Sequence, residues 1–301
     1  MASRTRSRAR IIGLAACALL ALSPAAASAN VLDTYYEHAL MSAADGRCHL
    51  FTPALSSAIN VAQILARNAA LRAGVDEDQV NQKRDRAVGR AAIEPCNSAD
   101  LALVAKRERN AFEVYSRLQS VSYKGDFKTW FAVRQASTTG RVWNLSQSTD
   151  FGHDNLTFGS TGSHGSSELV TVVQFADRAT PFAVQLVMRD RAKSPRPVLD
   201  QRKAGPGGLI PLSGRVTPRS ATVAFLADSK FAPDRLIQPA GKTPAVAYRF
   251  PAAAAGVLAG LDPREAVEID FLFSGPGGDQ ARIAYIEVGD FAAGRAFLAP
   301  T

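Results

Sequence analysis

The sequence predicts an α+β protein in which a disulfide-stapled N-terminal helical bundle is followed by a mainly antiparallel β-rich domain, either sandwich-like or α+β. Cys48 and Cys96 flank two helical segments. Past Ser120 the apolar spacing changes from a period near 3.6 to a period near 2, and short turn-rich links separate the strand candidates. We therefore place a helical domain at residues 30–122 and a β-rich domain at residues 123–301.

The two helices between the cysteines are predicted at residues 53–73 and 76–93. Gly74 ends the first helix, because glycine readily adopts the left-handed conformation found after helices. At ~1.5 Å per residue each helix is roughly 30 Å long, so an antiparallel return brings Cys96 back beside Cys48. The sequence thus predicts a disulfide whose closure contributes roughly 4 kcal/mol in the chain-entropy model. A third helix is predicted after Asn97 or Ser98, and a fourth covers about residues 33–44.

The second half of the chain carries the strand candidates. Turn-rich links between them indicate hairpins and antiparallel pairing. A proline- and charge-rich connection at 189–206 is predicted to be an exposed loop, with a mobile flap or an insertion as alternatives. The predicted strands are residues 128–134, 141–146, 168–175, 182–189, 221–227, 245–250, 266–273 and 282–288, with helices at 251–261 and 291–298.

The N-terminus has the pattern of an export signal. Four arginines precede an apolar run at residues 11–22, and the small residues 27–29 form a cleavage site. We predict cleavage after Ala29 and a periplasmic location. The alternative is a lipoprotein anchored through Cys17, since residues 14–17 resemble a lipobox, although the apolar run continues past Cys17. No later apolar run approaches the ~20 residues of a membrane span.

The net charge also changes on export. The four arginines lie in residues 1–29, which contain no acid, so the mature chain holds 31 of the 35 Lys and Arg against 27 Asp and Glu. This mild positive charge of +4 does not favour a nucleic-acid partner. A basic helix segment, Lys83–Arg86 with Arg90, is interpreted as a solvated helix face. Its alternative is a patch that contacts anionic lipid or an envelope polymer.

The richest polar stretch is predicted as a loop from Asp150 to Glu168. It holds His153, Asp154 and His164 beside flexible glycines. These residue types can form a metal site or a His-assisted hydroxyl nucleophile, whereas the alternative is an ordinary exposed hairpin loop. Neither an H-E-x-x-H nor a G-x-S-x-G pattern is present in the sequence. We therefore assign no catalytic residue and predict no cofactor, and we keep the three residues as candidate metal ligands.

Three segments carry a resemblance to other sequences. Residues 95–98, 111–115 and 286–291 are similar to segments of uncharacterised exported bacterial proteins. The resemblance implies a location and no activity. The expected function is a non-catalytic binding or structural module whose partner is an envelope protein or polymer. The alternative is an envelope hydrolase or metal-binding protein that uses the Asp150–Glu168 loop.

Overall fold

The computed structural model describes residues 24–163, 166–240 and 243–299. Four helices come first and two antiparallel sheets follow, so the predicted α+β class is confirmed. Two short helices lie near the C-terminal end. The helices are α1 Pro24–Cys48, α2 Pro53–Arg72, α3 Glu77–Ile93, α4 Ala99–Ser116, α5 Ala252–Ala259 and α6 Phe291–Phe297.

The strands form a seven-stranded and a four-stranded sheet. In the order β1-β2-β3-β4-β5-β9-β8 they make sheet A, and in the order β11-β10-β6-β7 they make sheet B. Strands β1, β4 and β8 were not predicted. The bounds are β1 Ser120–Lys124, β2 Thr129–Val133, β3 Val142–Phe151, β4 Asp154–Ser163, β5 Ser166–Gln174, β6 Ala183–Arg189, β7 Thr222–Leu226, β8 Ser229–Phe231, β9 Val246–Phe250, β10 Ala266–Gly275 and β11 Gly278–Glu287.

The predicted signal peptide lies mostly outside the described residues. Its basic region, its apolar region and Cys17 fall within residues 1–23, and the predicted cleavage position after Ala29 falls inside α1. Cleavage and lipidation stay predictions. Of the helices that the structure describes, none combines the length and the apolar character that crossing a membrane requires.

Local sequence signals fix several helix ends. The Asp76 carboxylate accepts a hydrogen bond from the Asp78 N–H (2.8 Å) at the start of α3. The Ser98 hydroxyl accepts one from the Leu101 N–H (3.1 Å) at the start of α4, so Ser98 is the cap of the two residues predicted for this role. Gly74, with φ +84°, ends α2 in the left-handed conformation.

Cys48 and Cys96 form the predicted disulfide, with Cα atoms 5.5 Å apart. The sequence predicted that the disulfide closes an antiparallel pair of α2 and α3. In the structure α3 packs mainly against α1 instead. Helices α1 and α3 run side by side in the same direction and end together. Small side chains permit this close approach, since Ala44 of α1 and Ala91 of α3 are buried in the same cluster.

The main core lies between the two sheets. Trp130, Phe158 and Phe271 are buried there, and Val61 of α2 belongs to the same cluster. Helix α6 also packs on α2 and contributes Phe291 to this core. The helical and β-rich parts therefore share buried contacts. The division at 122/123, which falls within β1, stays a prediction.

The prediction of a loop from Asp150 to Glu168 is wrong for most of that segment. Residues 154–163 form β4, which pairs with β3 through a tight turn at Gly152 (φ +60°) and with β5 on its other side. Leu156 and Phe158 face the core in strand alternation. The small residues that follow, 159–163, do not continue this apolar alternation, so the segment had the composition of a loop. Gly159 is required there, because a Cβ would lie 1.9 Å from the Leu145 carbonyl oxygen.

The connection between β6 and β7 is anchored at its start. The Arg189 guanidinium forms two hydrogen bonds with the Glu265 carboxylate, at 2.7 and 2.8 Å, and both side chains are 1% exposed. It also donates to the carbonyl oxygens of Ser194 (2.7 Å) and Pro195 (2.8 Å). The buried guanidinium thus holds the first turn of the connection in place. A mobile flap was one of the predicted alternatives for this connection.

A carboxylate near the C-terminus holds the turn between β1 and β2. Glu287 accepts hydrogen bonds from the backbone N–H groups of Asp126, Phe127 and Lys128, at 2.7, 3.0 and 2.8 Å. A Cβ on Gly125 would lie 2.6 Å from this carboxylate. The turn therefore needs glycine at its first position and the C-terminal strand β11 as its support.

Candidate functional site

The predicted residues His153 and Asp154 line a cavity of about 650 Å³ at one end of the sandwich. The β3–β4 turn positions both residues, and Asp177 and Arg282 complete the polar part of the lining. His153 is exposed, whereas Asp154 is buried. The structure thus places two of the three predicted ligands beside a cavity.

One arginine pairs with both acids of this cavity. Arg282 donates to Asp154 (3.0 Å) and to Asp177 (2.6 Å). Its guanidinium also lies 4.6 Å from the centre of the Phe273 ring. Asp154 further accepts a hydrogen bond from the Ala176 N–H (2.8 Å). These contacts bind the carboxylates to the protein itself and give the cluster a structural role.

The other end of the predicted loop lies elsewhere in the fold. Strand β4 leads away from His153 over ten residues, or about 30 Å, before the chain reaches Ser163. His164 lies outside the described residues. Glu168 is on β5, where Arg141 (2.8 Å) and Arg249 (3.1 Å) bind its carboxylate. The structure does not bring Glu168 to His153.

The electrostatics of Glu168 agree with this role in ion pairs. Burial raises the pKa of its carboxyl. The hydrogen bonds from Arg141 and Arg249 lower the pKa by more than burial raises it, so the pKa lies below the usual value. Among residues 24–163, 166–240 and 243–299, no group of three His, Cys, Asp or Glu side chains is placed to hold a metal ion. A metal site that includes His164 stays a prediction.

We expect the Arg282 ion pairs to make stability depend on pH in the acid range. Hydrogen bonding to Arg282 lowers the pKa of Asp177 to about 2. A carboxyl whose folded pKa is depressed stabilises the fold above its unfolded pKa near 4 and loses that effect as the pH falls towards 2. Urea midpoints measured between pH 5 and pH 2 should fall less steeply for Arg282→Ala than for the wild type.

The control for this prediction is Lys230→Ala, which removes an exposed cation from β8. Its midpoints should follow the wild-type curve in shape. Parallel curves for the wild type and Arg282→Ala would show that Arg282 does not lower the pKa of Asp177 in the folded state.

A second cavity, of about 470 Å³, lies between α2, α5 and α6, and we call it the arginine cleft. Helix α2 contributes Arg67 and Asn68, and α6 contributes Arg295. Arg191 lies two residues after β6, beside Gly260, which follows α5. The helical part and the β-rich part of the chain both supply walls of this cleft.

The arginine cleft carries an excess of positive charge. The Glu77 carboxylate lies 2.9 Å from Arg67 and 3.4 Å from Arg191. Arg295 donates to the Ala255 carbonyl oxygen (2.8 Å) and has no carboxylate partner within the described part of the chain. Two of the three guanidinium groups of the cleft thus share one carboxylate, and the third has a backbone carbonyl as its partner.

The α2 wall of the cleft is held by a buried carboxylate. Asp290 accepts a hydrogen bond from the Asn68 amide (2.8 Å), and its other oxygen lies 3.1 Å from Arg72. Asn68 is buried, so this contact fixes the position of α2 against the start of α6. Arg67, one residue before Asn68, is thereby held at the cleft with little freedom of the backbone.

The sequence offered no local signal for the arginine cleft. Its three arginines are separated by more than 100 positions from one to the next, and each follows an unrelated local pattern. Only the packing of α6 on α2 brings Arg67 and Arg295 to one cavity. A recurring spacing, which motif searches require, is absent from these positions.

Comparisons with known proteins do not identify the site. A scan against protein-family models, a search of curated proteins and a search of solved structures each gave no match.

Proposed function

We propose that the chain is an exported, periplasmic and non-catalytic binding module whose ligand carries an anionic group, a phosphate or a carboxylate, that enters the arginine cleft. The observation that carries this proposal is the ratio of three guanidinium groups to one carboxylate around a 470 Å³ cavity. An envelope polymer or an envelope protein with such groups has the required chemistry.

Guanidinium groups suit this task for a geometric reason. Their planar N–H donors match the two oxygens of a carboxylate or phosphate, and such charge-assisted hydrogen bonds are stronger than neutral ones. Arg67 is only 24% exposed in its side chain, so an anion beside it is less screened by water than at an open surface. Bound anion would also relieve the repulsion among the three cations.

The proposed location rests on the predicted signal peptide and agrees with the disulfide, since disulfides persist in oxidising compartments such as the bacterial periplasm. Mass spectrometry of the protein from its own host separates the two predicted processing routes. A mature chain that begins at Asn30 supports cleavage after Ala29. A lipid attached to Cys17 supports the lipoprotein alternative.

Titration calorimetry with inorganic phosphate and with citrate tests the binding proposal. We expect both to bind, more weakly as the salt concentration rises, and we expect Arg295→Ala to weaken binding about tenfold, because hydrogen bonds to charged groups contribute about 1.5–3 kcal/mol. Arg295 is the suitable position because its removal leaves no carboxylate unpaired. Arg295→Lys, which keeps the charge without the planar fork, should be intermediate.

Arg86→Ala is the matched control. Arg86 is an exposed arginine of α3 within the predicted basic segment, and it lines no wall of the arginine cleft. It should bind both anions like the wild type. Unchanged affinity in Arg295→Ala, or a loss confined to Arg86→Ala, would reject the cleft and favour the basic helix face. Failure of the wild type to bind either anion would reject the proposal itself.

A further inference from the structure

Helices α2 and α6, which supply two walls of the arginine cleft, run antiparallel. The Asn68 amide of α2 donates to Asp290 just before α6 (2.8 Å), whereas the Ser57 hydroxyl donates to the Ala296 carbonyl oxygen near the end of α6 (3.2 Å). Arg67 directly precedes Asn68 and so lies level with the start of α6. Residue positions along α6 therefore give distances along the cleft, at ~1.5 Å per residue.

Helix α5 places the other two arginines at different levels of the cleft. Arg295 donates to the Ala255 carbonyl oxygen (2.8 Å), and the Arg191 guanidinium lies 3.7 Å from the position that a Cβ on Gly260 would take. The five residues from Ala255 to Gly260 span about 7.5 Å of helix. Along α6, the step from the level of Arg67 to Arg295 has about the same length. The cleft therefore has two cationic ends, one at Arg67 and Arg191 and one at Arg295.

Each end keeps a net positive charge. The Glu77 carboxylate, which lies outside the cavity lining, pairs with Arg67 (2.9 Å) and Arg191 (3.4 Å), so two cations there meet one anion. Asp290, beside the same end, is already paired with Arg72 (3.1 Å). Arg67 and Arg191 each use one N–H donor on Glu77, so other donors remain for a ligand. The third arginine of the cleft has no carboxylate partner among the described residues.

An aliphatic floor separates the two ends. Ile64 of α2, Ala259 of α5 and Ala292 of α6 line the cavity, and each lies between the two levels along its own helix. All three are partly exposed, so a ligand can touch them. An inorganic anion would fill only a small part of 470 Å³, a volume that holds on the order of fifteen waters, and would leave this floor wet. A longer ligand with an apolar middle would cover the floor, which favours binding.

We infer that the anionic ligand of the arginine cleft is a linear dicarboxylate with an aliphatic spacer, whose carboxylates bind Arg295 at one end and Arg67 with Arg191 at the other. This inference rests on the anion binding proposed for the cleft and adds the number and the separation of the anionic groups. Two carboxylates match the two net charges, and planar guanidinium groups bind carboxylates through paired N–H donors. The spacer lies on the aliphatic floor, whereas a monoanion would leave one cationic end without a partner.

Titration calorimetry of the full-length exported chain with the diacids from succinate to suberate, each beside its monomethyl ester, tests the inference. We expect an optimum spacer length at which the diacid binds about tenfold tighter than its ester, because the second carboxylate adds charge-assisted hydrogen bonds. Arg295→Ala should bring this ratio close to one. Arg191→Ala should do the same, since Glu77 then neutralises Arg67. Galactarate, which is adipate with a hydroxyl on each spacer carbon, should bind about tenfold more weakly than adipate.

Arg86→Ala is again the control, and it should keep the wild-type ratio of diacid to ester affinity. Equal affinities of every diacid and its ester in the wild type, with phosphate still bound, would overturn this inference and leave the proposed anion site intact. A ratio that persists in Arg295→Ala, or equal affinities of galactarate and adipate, would overturn it as well. Loss of phosphate, diacid and ester binding together would reject the anion site and this inference with it.

Discussion

Replacing Glu265 with alanine is expected to lower the free energy of unfolding by about 3–5 kcal/mol, because it leaves a buried guanidinium without its partner. Both side chains of the Arg189–Glu265 pair are 1% exposed, so water cannot replace the lost carboxylate without a rearrangement. The Glu265 carboxylate also accepts a hydrogen bond from the Asp262 N–H (2.8 Å). The same substitution therefore also removes a hydrogen bond from the turn that precedes β10.

Urea unfolding at neutral pH measures this loss, and an exposed ion pair supplies the control. Glu113 and Arg117 pair across one turn of α4, with side chains 60% and 75% exposed. Glu113→Ala should cost at most about 0.5 kcal/mol. Equal losses for Glu113→Ala and Glu265→Ala would show that burial does not decide the contribution of these pairs. Arg189→Met combined with Glu265→Leu should recover much of the loss, since it removes both charges.

Replacing both Cys48 and Cys96 with serine is expected to lower the free energy of unfolding by about 4 kcal/mol. In the chain-entropy model this is the effect of releasing a loop with a sequence separation of 48 residues. The closure joins the ends of α1 and α3 beside the helical cluster, so the loss should appear first as weaker protection of these helices. Thermal unfolding monitored by circular dichroism and hydrogen exchange measures both effects.

Reduction provides the control for the disulfide prediction. Dithiothreitol should bring the wild type to the stability of the double serine variant, and it should leave the variant unchanged. A variant as stable as the oxidised wild type would mean that the helix contacts alone fix the bundle, with no contribution from the covalent link.

The sequence predicted those parts of the fold that have local signals. The cap of α4 acts within a few residues, so Ser98 could be recognised directly as one of two candidates, together with Asn97. The disulfide was predicted from the similar lengths of the two helices between Cys48 and Cys96. The packing of α3 on α1 could not be predicted in the same way, because it depends on the fit of buried alanines from distant segments.

The error at β4 has a different cause. Glycine, serine and threonine in the segment after Asp154 gave the composition of a loop, although the segment pairs on both sides and is held in the middle of sheet A. Tertiary pairing overrode local propensity there. The candidate site was missed for a related reason: Arg67 and Arg295 meet only after the two ends of the chain have packed together.

The support of the β1–β2 turn by Glu287 has a consequence for the order of folding. Strands β1 to β3 precede Glu287 by about 140 residues or more, yet they need it, together with Phe291, to bury their polar turn and Trp130. Contacts so distant along the chain form late and slow the search for the native state. A nascent chain that lacks its last fifteen residues cannot close the sandwich. The sandwich should thus close only after β11 and α6 have been synthesised.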